Sequence, residues 1–486
     1  MLPAILTNAK AQNGSSTSNG KSLTPATQAE IEARIQRVLS GLRPPIGFAG
    51  QPHASLTDRM SALHVPGVSI AVIHNGAIEW ARGFGVAMTG GAAVGPGTLF
   101  QAGSISKPVA ATAVLALAQA GRLDLDADVN SYLKSWKVPA NSYTDKTKVT
   151  LRQLLNHSAG TTVHGFAGYQ AGTAIPSLLD VLNGSPPANS PAIVVDQQPG
   201  KSFRYSGGGY TIVQQLLIDV TGKPFADLLD MMVLHPLGMS RSSYRQPLAA
   251  GDLLDAAMPH AASGDPIAGG PHVYPELAAA GLWTTPTDLA RFNLALLDAW
   301  AGRPMPVLSQ SGVDQMLTPG LGNYGLGLIV RGSSPHRRFG HDGVNAGFIN
   351  SMISYETGDG AIVMTNGDQG DVLVAEIMQS VAAEYRWPDW VRKERKLVPI
   401  DPKLTDRLVG NYRLSPTMIV HISNEGGQLF SQATGQAKFE LFPQSDREFF
   451  TTAFDSVFAF ETDGSTDARG LVIHQDGKDY PADRIP

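Results

Sequence analysis

The stretch Gly103-Ser104-Ile105-Ser106-Lys107-Pro108-Val109-Ala110-Ala111-Thr112-Ala113-Val114-Leu115-Ala116-Leu117-Ala118-Gln119-Ala120-Gly121 decides how the rest of the chain is read. From Lys107 onward it is rich in Ala, Val and Leu and stops at Gly121, which predicts a helix apolar on nearly every side and therefore buried. Gly103 precedes the serine, and Pro108 takes a first-turn position. Ser and Lys three apart on a helix share one face, with Cβ atoms about 5–6 Å apart, so hydroxyl and amine can meet. A lysine at the N-terminal end of a buried helix is disfavoured as a cation by desolvation and by the helix dipole, leaving part of it as an amine able to take a proton. The amide N–H of Ser104 at the helix start can serve an oxyanion. The competing reading is an N-cap serine followed by a solvated lysine. Two other Ser-x-x-Lys matches, Ser18…Lys21 in a polar leader and Ser131…Lys134 beyond the helix end, lack a rigid or dry setting.

Two further constellations bear on that choice. Phe203-Arg204-Tyr205-Ser206-Gly207-Gly208-Gly209-Tyr210 sets a tyrosine against a glycine run just before a predicted helix, and the glycines allow close backbone approach. A phenol near an ammonium can be drawn towards phenolate and relay protons; alone it is more often a packed core tyrosine. Gly340-His341-Asp342-Gly343-Val344 precedes a predicted strand. Its histidine can hydrogen-bond a substrate and the strand backbone can supply a second oxyanion donor, the alternative being a plain loop histidine.

Composition bounds the answer. A chain of 486 residues, 43% hydrophobic and 16% charged, with 52 glycines and 33 prolines, describes a loop-rich globular protein of roughly three domains or lobes. A net charge of −5 offers no basic field for nucleic acid. The absence of cysteine excludes disulfides, thiolate catalysis, thiolate zinc sites and iron–sulfur clusters. Residues 1–23 read as a flexible leader or signal remnant: Met1 to Leu6 is apolar, Ala9-Lys10-Ala11 resembles a small-residue cleavage site, and Asn13 to Ser22 is Ser-, Thr-, Asn- and Gly-rich. This tilts the expected location towards periplasmic or secreted over cytoplasmic. No stretch approaches the roughly 18 apolar residues of a membrane span, and a soluble protein is expected.

Along the chain, Thr24-Pro25 and the amphipathic run to about Leu39 predict a helix with a first-turn proline. Val68 to Ile73 and Ala77 to Ala81, around His74-Asn75-Gly76, predict a hairpin. From about 150 to 285, helical patterns (Leu151 to Leu155, Thr211 to Val220, Phe225 to Val233) alternate with Gly- and Pro-rich loops, as in an inserted helical lobe. Tyr324 to Val330, Phe348 to Tyr355 and Ala361 to Thr365 predict an antiparallel meander, and Val372 to Tyr385 a helix. From about Asp401, short strand-like runs (Met418 to Ile422, Gln428 to Ser431, Val457 to Phe460, Gly470 to His474) predict a separate β-barrel or sandwich at 401–486.

Ser104-Ile105-Ser106-Lys107, then Tyr205 in Tyr-Ser-Gly-Gly-Gly-Tyr, then His341-Asp342-Gly343 follow the order of the three motifs of class C β-lactamases, penicillin-binding DD-peptidases and their esterase and D-aminopeptidase relatives, which the chain resembles. Val65-Pro66-Gly67-Val68, Leu154-Leu155-Asn156-His157-Ser158-Ala159-Gly160, Pro236-Leu237-Gly238-Met239 and Ala280-Gly281-Leu282-Trp283-Thr284-Thr285 also look like this family. The likeness spans about residues 25 to 395 and implies an α/β (α+β) hydrolase domain over 24–395. Its antiparallel sheet, flanked by helices, is built from segments before and after the helical lobe, with the site in the crevice between. It implies that Ser104 attacks a carbonyl, that Lys107 and Tyr205 shuttle the proton, and that the backbone N–H groups of Ser104 and Val344 bind the oxyanion. His341, Gly343 and Gly207 would face the substrate. The last segment is similar to the lipocalin-like barrels of some relatives, which implies a role in covering the cleft or in homo-oligomer assembly.

Two departures matter. Gly207 stands where the family's Tyr-x-Asn has asparagine, and His341-Asp342-Gly343 stands for Lys-Thr-Gly; a mostly neutral imidazole anchors a carboxylate poorly. Both disfavour an efficient β-lactamase. The expected function is hydrolysis of a carboxylic ester or an amide/peptide bond through an acyl-enzyme on Ser104, by an esterase or peptidase needing neither cofactor nor metal. The alternatives are a D-amino-acid-specific peptidase or DD-carboxypeptidase, a weak β-lactamase, and a non-catalytic binder of a ligand or cell-wall fragment. There is no Gly-x-Ser-x-Gly elbow, His-Glu-x-x-His or Walker loop, and Gly320 to Gly325 matches Gly-x-Gly-x-x-Gly but precedes a strand, so it reads as a loop.

Overall fold

A computed structural model describes residues 26–416, 418–434, 438–475 and 477–486. The leader, its cleavage-like site, Ser18…Lys21 and Thr24-Pro25 lie outside them. The first helix, α1 (Gln28–Ser40), begins later than the Thr24-Pro25 signal suggests. A reciprocal cap sets its start: the Thr27 hydroxyl accepts from the Glu30 N–H at 3.2 Å, and the Glu30 carboxylate accepts from the Thr27 N–H at 2.6 Å.

The hairpin forms as expected, with β1 (Gly67–His74) and β2 (Ala77–Gly85) joined by Asn75 and Gly76, whose φ values of 51° and 75° are those of a type I′ turn. Helix α2 (Ser106–Gln119) follows, entered through a short 3₁₀ turn at Gly103–Ile105. The intervening lobe holds α3 (Gly207–Thr221) and the short α4 (Leu277–Ala280); α5 (Pro286–Trp300) leads back to the sheet. Strands β3 (Ile329–Arg331), β4 (Arg338–Asn345), β5 (Phe348–Tyr355) and β6 (Gly360–Thr365) precede α6 (Gly370–Glu384). One antiparallel six-stranded sheet results, in the order β2-β1-β6-β5-β4-β3, with Val68 paired to Thr365 across the sequence gap.

Alternation along β1 explains the layers. Val68, Ile70 and Val72 join a core with α1 (Ile35, Val38) and α6 (Leu373, Ile377, Val381). Ala71 and Ile73 belong to the larger core on the opposite side, with α5 (Leu289, Phe292) and α2 (Val109, Val114).

The structure corrects three local expectations. The glycine run Gly207–Gly209 is the first turn of α3 itself, capped by the Ser206 hydroxyl at 3.0 Å from the Gly209 N–H. His341-Asp342-Gly343 lies inside β4 instead of before a strand, a segment whose glycines and lack of β-branched runs hide its extended form. Of Tyr324 to Val330, only the end is strand. At the C-terminus eight strands from Gly410–Ser415 to Lys478–Ile485 close a barrel filled by its own core, including Tyr412, Ile422, Leu441, Phe449, Phe458 and Phe460. The barrel meets the rest of the chain through the Phe48 and Phe442 rings, 5.3 Å apart, and through Asp455, which pairs at 2.7 Å with both Lys393 and Arg395.

Candidate active site

Ser104 sits on the 3₁₀ turn ahead of α2, and the turn is tied down on several sides. The Ser106 hydroxyl donates to the Gly103 carbonyl at 2.6 Å and accepts from the Leu282 N–H at 3.0 Å, while Tyr244 donates to the Ser106 carbonyl at 2.6 Å. Gly103 has φ +54°, the left-handed region that favours glycine. Strand β4 presses directly on this turn. A Cβ at Gly103 would fall 2.5 Å from the Val344 nitrogen, and one at Gly343 only 1.9 Å from the Ala102 carbonyl oxygen. These two glycines let the strand backbone reach the serine turn and bring the Val344 nitrogen beside it; the Val344 side chain is 62% exposed.

Lys107, one helical turn on, is 2% exposed, and its Nζ lies 2.8 Å from Ser104 Oγ and 2.8 Å from the Ala279 carbonyl of α4, to which it donates. Burial pulls its pKa down to about 7. Its Nζ lies 5.0 Å from the centre of the Tyr205 ring, and the Ser104 side chain acts to lower the pKa of the Tyr205 phenol. Burial pushes that phenol above its ordinary value, outweighing the lowering by Ser104. The sequence reading of a phenol drawn towards phenolate is thus reversed: desolvation wins, and Tyr205 holds its proton while Lys107 gives its own up as pH rises through about 7. Ser131…Lys134 shows no such pairing; Ser131 donates to the Asp128 carbonyl and Lys134 to the Asp219 carbonyl.

Ser104, Lys107 and Tyr205 open onto one cleft of about 720 Å³, which Gly207, His341 and Val344 also line. Gly343 lies beneath it, under the serine turn. At Gly207 a Cβ would stand 3.0 Å from the Phe166 ring and 3.2 Å from the His164 carbonyl, so an apolar ring occupies the space a longer side chain would need.

A profile described as beta-lactamase matches residues 53–383. The chain belongs to the beta-lactamase family. Penicillin-binding protein 4* of Bacillus subtilis (strain 168) is 23% identical over 465 residues, 88% of this chain and 97% of that protein. Among solved structures, the octameric penicillin-binding protein homologue from Pyrococcus abyssi superposes with a TM-score of 0.59 at 21% identity, covering 88% of this chain and 98% of that one. The D-amino acid amidase from Ochrobactrum anthropi SV3 gives 0.57 at 22%, covering 74% and 98%. The two solved structures share the fold, and the family is one of serine hydrolases.

Within this beta-lactamase-family fold, His341 differs from its expected part. Its Nδ1 donates to the Asp342 carbonyl and its Nε2 accepts from the Tyr324 hydroxyl, both at 2.5 Å, so neither nitrogen is left for a substrate. Burial, helped by Lys107, pulls its pKa down to about 3, and it stays neutral. Among the described residues the barrel lines no part of the cleft; every lining residue precedes position 346. Two contributors escaped sequence reasoning. Tyr324 arrives on the Gly320–Gly325 loop, where a Cβ at Gly322 would overlap the Phe203 ring at 2.6 Å; the dense glycines of that loop were the available signal. His157, 2% exposed behind Tyr205, stands in the Leu-Leu-Asn-His-Ser segment with a φ of 60°, which only coordinates reveal.

Proposed function

We propose that this protein is a serine hydrolase that cleaves carboxylic esters, and amide or peptide bonds, through an acyl-enzyme on Ser104. The observation that carries this reading is the 2.8 Å contact between Ser104 Oγ and a buried Lys107 whose pKa falls to about 7. In acylation Ser104 Oγ bonds to the carbonyl carbon while its proton passes to the Lys107 amine. The oxyanion faces the backbone N–H groups of Ser104 and Val344. As the bond to the leaving oxygen or nitrogen breaks, that atom takes the Tyr205 proton, and the Lys107 ammonium restores it. In deacylation a water gives its proton to Lys107, and Ser104 Oγ departs with it, returning the starting enzyme.

The filled space at Gly207 and the engaged nitrogens of His341 support esters and simple amides over β-lactams, because position 207 offers no amide to an acylamino group and His341 offers no cation to a carboxylate. The expected order is short-chain aryl esters first, aminoacyl amides and linear peptides next, and nitrocefin last. A side-by-side screen of these substrates, with fluorophosphonate labelling of wild type and Ser104→Ala, tests it. Labelling that persists in Ser104→Ala removes the nucleophile assignment, and nitrocefin turnover equal to ester turnover removes the ranking. A wild type that binds ligands but neither labels nor turns over substrate is a binder. Homo-oligomer formation through the barrel, residues 401–486, belongs to the same proposal and is read by light scattering of the full chain.

A further inference from the structure

Tyr205 lies in an irregular segment before α3, yet its phenol must be held over a single hydroxyl, and no helix or strand fixes it there. One residue grips it from three directions. The backbone carbonyl of His157 accepts from the Arg204 N–H at 2.8 Å, the Nδ1 of the same histidine accepts from the Ser206 N–H at 3.1 Å, and its ring stacks on the Tyr205 ring with centroids 4.2 Å apart and planes 35° apart. The residues on either side of the tyrosine and the tyrosine ring are thus all bound to one side chain and its peptide. His157 is itself walled in by Tyr324 at 4.6 Å, edge to face, Tyr210 at 5.5 Å and Phe203 at 6.1 Å.

We propose that His157 is a positioning residue for the reaction, acting through Tyr205: it sets the place of the phenol over the Ser104–Lys107 pair and touches no reacting atom. This rests on the chemistry proposed above. An Nδ1 that accepts a backbone N–H carries no proton, so the clamp works only as neutral imidazole. Burial, with Lys107 and His341 adding to it, holds the pKa of His157 well below the usual histidine range.

Because the grip has two separable parts, two substitutions take it apart. His157→Asn puts an amide oxygen near the place of Nδ1 and keeps an acceptor for Ser206 while losing the ring; His157→Phe keeps the ring and loses the acceptor. With ethyl butyrate as substrate, whose basic ethoxide needs the Tyr205 proton to leave, each is expected to lower kcat by about 10–100-fold with KM within about threefold, since sub-ångström to one-ångström misplacement of a catalytic group carries losses of that size. In a Tyr205→Phe background, where there is no proton left to position, the same substitutions are expected to cost less than about threefold. Thermal unfolding identifies a variant that fails to fold, in which case the other variant makes the comparison. Equal losses in both backgrounds, or a rise in KM with kcat unchanged, overturn the positioning role and leave the proposed chemistry standing. A Tyr205→Phe enzyme as active as wild type overturns both.

Discussion

Lys107 and Tyr205 lie beside Ser104, and burial pushes them in opposite directions. Burial disfavours whichever form carries charge, so the lysine falls to about 7 and the phenol rises. A base near neutrality and a protonated acid are what acylation and leaving-group departure require. Lys107 must be neutral to accept the serine proton, so kcat/KM for an aryl ester should rise about tenfold per pH unit below pH 7 and level off above it. A flat profile between pH 5 and 7 would contradict the assignment. His341, at about 3, contributes no inflection in that range. Tyr205→Phe should separate substrates: a leaving aryloxide of low basicity departs unaided, whereas an amide nitrogen needs a proton. The substitution is expected to lower kcat for an aminoacyl anilide at least about tenfold more than for an aryl ester, within the usual range of general-acid contributions. Parallel kinetics on the two substrates read this directly.

At the scale of elements, the decisive contact is β4 against the serine turn. Ser-x-x-Lys ahead of an apolar helix, and tyrosine before a glycine run, were legible because each depends on spacing within one segment. Strand β4 was not, since its Gly-His-Asp-Gly core lacks the β-branched pattern of a strand; it is extended because β5 pairs with it from Arg338 to Asn345. Its closeness to the turn depends on Gly343. Gly343→Ala places a methyl 1.9 Å from the Ala102 oxygen, so the strand must retreat. We expect a stability loss of about 1–3 kcal/mol and a fall in kcat/KM of about 100-fold, measured by denaturant unfolding and ester hydrolysis. Stability lost with activity intact would show that the strand backbone does not serve the reaction. The His157 grip was illegible for the same kind of reason: Ser206 and Tyr205 are about fifty positions away along the chain, and only folding makes them neighbours.

On the scale of the whole molecule, two bodies with separate interiors share one chain. The sheet joins strands on both sides of the helical lobe, Val68 to Thr365, while the barrel closes on itself around Tyr412, Phe449 and Phe460. The Phe460 ring lies 5.8 Å from Tyr412 and 5.6 Å from Phe449, the latter edge to face. Phe460→Ala removes a buried ring worth about 3–5 kcal/mol. Calorimetry should show the barrel transition moving to lower temperature while the hydrolase transition and ester turnover stay in place, because the cleft draws no lining from the described residues of the barrel. Loss of ester turnover below the barrel transition would show that the two bodies are coupled.

The amino-acid sequence alone pointed to the family, to a β-barrel at its C-terminal end, and to the serine, lysine and tyrosine proposed for catalysis, because motif order, hydrophobic period and glycine placement are properties of neighbouring residues. Tertiary structure alone decided which of those groups holds a proton, that His341 is occupied by Tyr324 and its own strand, and that His157 grips Tyr205. Protonation follows burial, and both burial and partnership arise from chain segments that meet only in the folded state.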